Sequence, residues 1–205
     1  MSFRVLAPLV AAFLSMLAAS PAAADSFAAQ FPARILAAHN AVRSRAGVSP
    51  LVWDNALGSA AALYAAQMAF TGRFQHSSRK ARPGTGENLW MGTHGTFPVE
   101  AMIGGWTSEK RWFVPGVFPG NSRTGNWEDV GHYTQMIWPT TTRVGCALAT
   151  TPRTDYLVCR YSGAGNIDGR PVGFAFVDGR NSRGLVPLKA MHRLLRASPA
   201  VHTSS

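Results

Sequence analysis

Among the six histidines and ten carboxylates of this 205-residue chain, a few stand where they could do chemistry. Imidazoles and carboxylates exchange protons and ligate metals, but a lone histidine is more often a surface or hydrogen-bonded core residue, so each needs company to count. His76 has company. It lies in Phe74-Gln75-His76-Ser77, shortly before Gly86-Glu87-Asn88-Leu89-Trp90, where a glycine before and apolar residues after carry Glu87 toward the interior. Glu109 is the second unusual carboxylate. Val99, Met102, Trp106 and Glu109 are spaced to share one face of a helix. A carboxylate ending that apolar stripe either turns to solvent beside Lys110 and Arg111 or needs a partner, because unpaired burial is costly. His132 belongs to Gly131-His132-Tyr133-Thr134-Gln135-Met136-Ile137-Trp138, which on a helix separates a polar face (His132, Gln135) from an apolar one (Tyr133, Met136, Ile137).

The elements that must position these groups can be read from periodicity and caps. A first helix is predicted from Pro32 to Ala46, with Ile35, Ala38 and Val42 as its apolar stripe and Gly47 as the stop. Asp54 is suited to cap a second helix that runs to Phe70, striped by Leu57, Ala61, Tyr64 and Met68 and closed by Gly72. A third opens at Pro98 and reaches about Lys110, and a short fourth carries residues 132–138. Two β-like runs, 143–150 and 155–161, flank the turn-like Thr151-Pro152-Arg153-Thr154. An antiparallel hairpin centred on that turn puts Cys146 directly opposite Cys159, at a spacing a disulfide can bridge. A loop at 163–170 and a strand at 173–177 complete the reading. Helices first and strands last make the fold class α+β, a small sheet covered by helices.

The ends of the chain read differently. Residues 1–24 have a basic start, an apolar run and small residues ending Ala22-Ala23-Ala24, the layout of a secretory signal peptide. The expected organisation is therefore a signal peptide at 1–24, one domain at 25–178 and a basic tail at 179–205. In the tail, Leu185, Leu188, Met191, His192 and Leu195 have helical spacing. Export makes the compartment extracellular, or periplasmic if the source is a Gram-negative bacterium, and permits the disulfide. The formal charge is +10, and 17 of the 20 cations are arginines scattered along the chain. That balance suits adhesion to anionic membrane surfaces or cell-wall polymers. With no nucleic-acid module, nucleic acid is not an expected partner, and no later stretch is long and apolar enough to make an integral membrane protein.

At this point a resemblance enters. Residues 131–138 resemble the first signature of the CAP superfamily, which comprises cysteine-rich secretory proteins, antigen 5 and pathogenesis-related 1 proteins. Tyr156-Leu157-Val158-Cys159-Arg160-Tyr161-Ser162-Gly163-Ala164-Gly165-Asn166-Ile167 is similar to the second, with Gly163 where the family usually has proline. His39-Asn40-x-x-Arg43, Leu51-x-Trp53, Gly86-Glu87-Asn88 and Trp106-x-x-Glu109 match in order and spacing. The resemblance implies a three-layer α-β-α sandwich with a small antiparallel sheet and a central cleft. Its two histidines and two glutamates fall on His76, Glu87, Glu109 and His132. It further implies Zn2+ or another divalent cation on His76 and His132, with Glu87 and Glu109 holding its water or orienting the imidazoles.

The stretch Trp112-Phe113-Val114-Pro115-Gly116-Val117-Phe118-Pro119-Gly120 departs from the family's usual length. Its Pro–Gly pairs argue against a regular helix or strand. Trp112, Phe113, Val114, Val117 and Phe118 either pack over the core or present an apolar surface to a lipid or sterol. Three functional readings follow: an extracellular binding module for lipid-like or cell-surface ligands, a metal-dependent hydrolase built on the tetrad, or an interaction protein whose tetrad is structural. The first is preferred, because His-Glu-x-x-His and a serine nucleophile elbow are both missing from the sequence.

Overall fold

The computed structural model describes residues 21–175 and 186–187, with side chains described for 29–173. The elements in chain order are α1 (Pro21–Ala46), β1 (Val52–Trp53), α2 (Asn55–Thr71), β2 (Thr85–Thr93), α3 (Val99–Ser108), β3 (Gly116–Val117), α4 (Gly131–Met136), β4 (Arg143–Thr150), β5 (Thr154–Ser162), β6 (Pro171–Val172), β7 (Phe174–Ala175) and β8 (Val186–Pro187). The main sheet runs β1-β4-β5-β2. It is antiparallel except where the two residues of β1 pair parallel with β4. Among the described residues no helix is long and apolar enough to cross a membrane.

Three layers follow from the alternation of β5. Leu157, Cys159 and Tyr161 point to one face and pack with Ile35 and Val42 of α1, Met102, Ile103 and Trp106 of α3, and Met136 of α4. Tyr156 and Val158 point to the other, where Ala61, Ala65 and Met68 of α2 cover them. Small residues on α2 let that helix lie close to the sheet. Cys146 and Cys159 sit directly opposite in the β4–β5 register and are joined, as the hairpin reading expects.

The caps of α2 also match. The Asp54 carboxylate accepts the Leu57 N–H, and Gly72, at φ 68°, donates its N–H to the Met68 carbonyl. A side chain added at Gly72 would meet nothing within 4 Å, so only backbone strain opposes it. Gly72→Ala should therefore cost about 1 kcal/mol, read as a lower urea midpoint with an unchanged slope.

Five expectations need correction. The first helix does not begin at Pro32: α1 starts at Pro21 and carries Pro32 inside it, because the alanine-rich run before it is itself a good helix former. Strands do not all follow helices, since β2 lies between α2 and α3. The fourth helix is shorter and slightly earlier than 132–138; a 3-10 turn at Trp127–Val130 leads into it. Residues 112–120 do contain a strand, the two residues of β3 paired with β6. In the tail, Val186 and Pro187 pair with β7 as a strand rather than opening a helix. The rest of the tail, and residues 1–20 of the leader, lie outside the described residues.

Candidate functional site

Glu87 is placed by β2, whose register sets it across from Arg160 of β5. Its side chain is fully buried. Four donors hold it: His76 Nδ1 at 2.7 Å and the Ser77 N–H at 3.0 Å on Oε1, the Ser77 hydroxyl at 2.9 Å and Arg160 Nη2 at 3.0 Å on Oε2. Burial pushes this carboxyl up, but His76, Arg160 and Ser77 together outweigh it and hold it below its ordinary range. The negative charge is thus fixed in place.

Glu109 makes the matching pair. Trp106 buries the last turn of α3, and the 3-10 turn Glu109–Arg111 brings the carboxylate round to α4. Its Oε1 lies 2.5 Å from His132 Nδ1, and its Oε2 accepts the Tyr133 N–H at 3.0 Å. The Trp106 ring stacks on the His132 imidazole, 5.8 Å between centroids and 10° apart in plane. Of the two fates open to Glu109, the structure shows the partnered one.

Both imidazoles therefore turn Nδ1 to a carboxylate, and Nε2 of each has no partner among the described residues. His76 and His132 line one cleft of about 380 Å³, together with Asn88, Trp127, Gln135 and Asn166. Glu109 stands behind His132, outside that lining. Asn88 ties β2 to α4 by donating to the His132 carbonyl at 3.1 Å. The Gln135 amide forms the cleft floor, accepting the Gly165 N–H at 2.8 Å and donating to Thr141 Oγ1 at 3.2 Å. A Cβ at position 86 would stand 2.0 Å from Gln135 Oε1, so a larger residue there would displace that amide from its bonds to Gly165 and Thr141. Asn166, at φ 54°, holds the left-handed turn by bonding the Gly131 carbonyl and the Thr134 hydroxyl.

A model of the cysteine-rich secretory protein family, CAP, matches residues 36–161. A pathogenesis-related protein of Zea mays, PRMS, is 34% identical over 158 residues, covering 75% of this chain and 89% of that one. The chain belongs to the CAP family. Pathogenesis-related protein 1C of Nicotiana tabacum is 32% identical over 136 residues, 66% of this chain and 76% of that one. Among solved structures, NaASP2 with Zn2+ aligns with a TM-score of 0.60 at 26% identity, covering 68% of this CAP chain and 83% of that one. The α-β-α sandwich is thus the fold of the family as well as of this chain.

As a donor set for a cation, the CAP cleft supplies two imidazoles. Among the described residues no three His, Cys, Asp or Glu side chains converge as a ready-made cage. Each imidazole is oriented by a carboxylate on Nδ1, which leaves Nε2 as its available donor atom. The five apolar residues of the 112–120 stretch divide. Phe118 is buried against Trp127 and Trp138, Phe113 packs edge-on to Tyr133, and Val114 is half-buried, leaving Trp112 and Val117 exposed. Ser77, Arg82, Asn88 and Arg160 are site residues that sequence reasoning missed. Reading 85–93 as a strand paired with 154–162 would have set Arg160 opposite Glu87.

Proposed function

We propose that this chain is an exported, non-enzymatic binding module whose cleft takes a divalent cation, zinc first, on Nε2 of His76 and His132. The observation that carries the reading is the use of the two glutamates. Each spends one oxygen on an imidazole Nδ1; Glu87 is filled by four donors and Glu109 also accepts the Tyr133 N–H, so both carboxylates are committed to holding imidazoles rather than standing unpartnered as a general base. Both act instead to fix the tautomer and aim of a ligating imidazole. The bound ion would supply an electrophilic anchor for a polar or anionic group of an extracellular ligand. Support from relatives is of two kinds: NaASP2 was solved with Zn2+, and one 34% identical relative is the secreted protein RBT4 of Candida albicans, of which this chain spans 37%. Exposed Trp112 and Val117, on the stretch whose Phe118 packs against the cleft residue Trp127, suit a lipid-like or cell-surface partner.

Isothermal titration of the chain with zinc tests the proposal. His76→Ala and His132→Ala should each abolish the binding heat, and Glu109→Gln should weaken affinity about 10–100-fold. Equal heats in all four proteins would overturn it.

A further inference from the structure

A second groove, adjoining the cleft and sharing His76 and Arg82 with it, lies between α2 and residues 75–85. It encloses about 580 Å³. One wall is the outer side of α2, with Leu57, Ala60, Leu63 and Tyr64; Leu63 is 77% exposed there. The base carries two guanidinium groups, Arg82 and Arg160. Arg160 is the unusual one. Its side chain is 6% exposed, Nη2 is spent on Glu87, the guanidinium lies 5.2 Å over the Tyr64 ring, and its buried Nε–H has no hydrogen-bond partner. A buried donor left unpaired costs free energy that an oxygen brought within its reach would return.

The charge around it is mostly positive, with Glu87 as the carboxylate near both guanidinium groups. From Asn55 to Gly86 the chain has Arg73, Arg79, Lys80 and Arg82 and no acidic residue. The neighbouring carboxylate, Glu87, has both oxygens engaged by His76, Ser77 and Arg160, as described above. Arg82 gives Nε to the Ser77 carbonyl and Nη1 to the Thr85 carbonyl, which holds the guanidinium in place with Nη2 to spare. Guanidinium groups so fixed recognise planar or tetrahedral oxyanions.

We propose that this groove is a second ligand site, for an amphiphile with one carboxylate or phosphate headgroup. The headgroup sits at Arg160 and Arg82, and the apolar part lies along Leu57, Ala60 and Leu63.

The test is calorimetric titration of the full chain in EDTA with decanoate, decyl phosphate, inorganic phosphate and uncharged decyl maltoside. EDTA removes any cleft cation, so failure here is distinguishable from failure of the zinc reading. Decyl phosphate or decanoate should bind at least about tenfold more tightly than both inorganic phosphate and decyl maltoside. Which of the two anionic probes binds more tightly identifies the headgroup. Arg160→Lys, which keeps the charge opposite Glu87 but removes the Nε donor, should lose about tenfold. Leu63→Glu, on an exposed position that cannot unfold the chain, should lose at least as much by opposing the anion and breaking the apolar wall. Equal binding by the wild type and both variants would overturn the proposal, as would loss of binding in His132→Ala, which would place the ligand in the cleft.

Discussion

Replacing Arg43 with methionine is expected to cost about 3–5 kcal/mol of stability, seen as a large fall in urea midpoint. Arg43 is fully buried in α1, and among the described residues no carboxylate pairs with it. It donates instead to four carbonyls: Ser49 at 2.6 Å, Met136 at 2.8 Å, Trp138 at 3.0 Å and Thr141 at 3.0 Å. The Met136, Trp138 and Thr141 carbonyls end α4 and open the turn into β4, beyond the reach of helical N–H donors, and the Ser49 carbonyl lies in the loop between α1 and β1. Burial pulls the guanidinium down to about 10, and it stays charged at neutral pH. Methionine fills the volume but leaves the Ser49, Met136 and Thr141 carbonyls without the guanidinium, while Trp138 keeps only the Thr141 N–H at 3.2 Å. Arg43→Lys should recover part of the loss, because one ammonium cannot span acceptors that a planar fork reaches. A cost under about 1 kcal/mol in Arg43→Met would mean that water replaces the fork.

The second large effect is on acid stability. His39 is fully buried beside Trp106 and Tyr161. Its Nδ1 faces the Ile35 carbonyl at 2.9 Å, which can only accept, so Nδ1 carries the proton and Nε2 accepts from the Tyr161 hydroxyl at 2.9 Å. Burial, with the nearby Arg43 charge adding to it, lowers the imidazole to about 4. The folded state therefore keeps His39 neutral where the unfolded chain takes up a proton. Stability from this residue is complete above about pH 6.5 and is lost as pH falls toward 4, a loss of about 3 kcal/mol. Glu87, with a lowered carboxyl, adds to the loss only at the more acid end. Urea unfolding followed from pH 8 to pH 4 should show the slope, and His39→Gln should flatten it while lowering stability at pH 8. A wild-type midpoint unchanged between pH 6.5 and 4 would refute the assignment.

Both residues come from the short motif His39-Asn40-x-x-Arg43, and they illustrate how far the sequence could be read. Their positions were legible; their work was not. Helical spacing puts residues 39 and 43 on one face, but nothing local says that the face meets the ends of α4 and β5. Asn40 is similar: it bonds both the N–H and the carbonyl of Leu51, fixing the chain's entry into β1. Features closed within a few residues were read correctly, as with Asp54 and Gly72 at the ends of α2 and the cysteine register of the hairpin. Strand β2 was missed because glycines at 86 and 92 and the buried Glu87 and Asn88 hide its alternation. That omission hid Arg160, since its meeting with Glu87 exists only through a pairing between segments some 70 residues apart. The tetrad became visible through the family pattern, because each His–Glu contact joins separate elements.

Glu87 touches both recesses of the molecule at once: His76, which lines both, on one oxygen and Arg160 on the other. A change in how either partner uses that carboxylate is felt by the other. A cation on His76 would strengthen the demand on Oε1, and an anion at Arg160 would compete with Oε2 for the guanidinium. Occupancy of the two proposed sites would then be a heterotropic linkage, with one coupling factor that must be the same whichever ligand is added first.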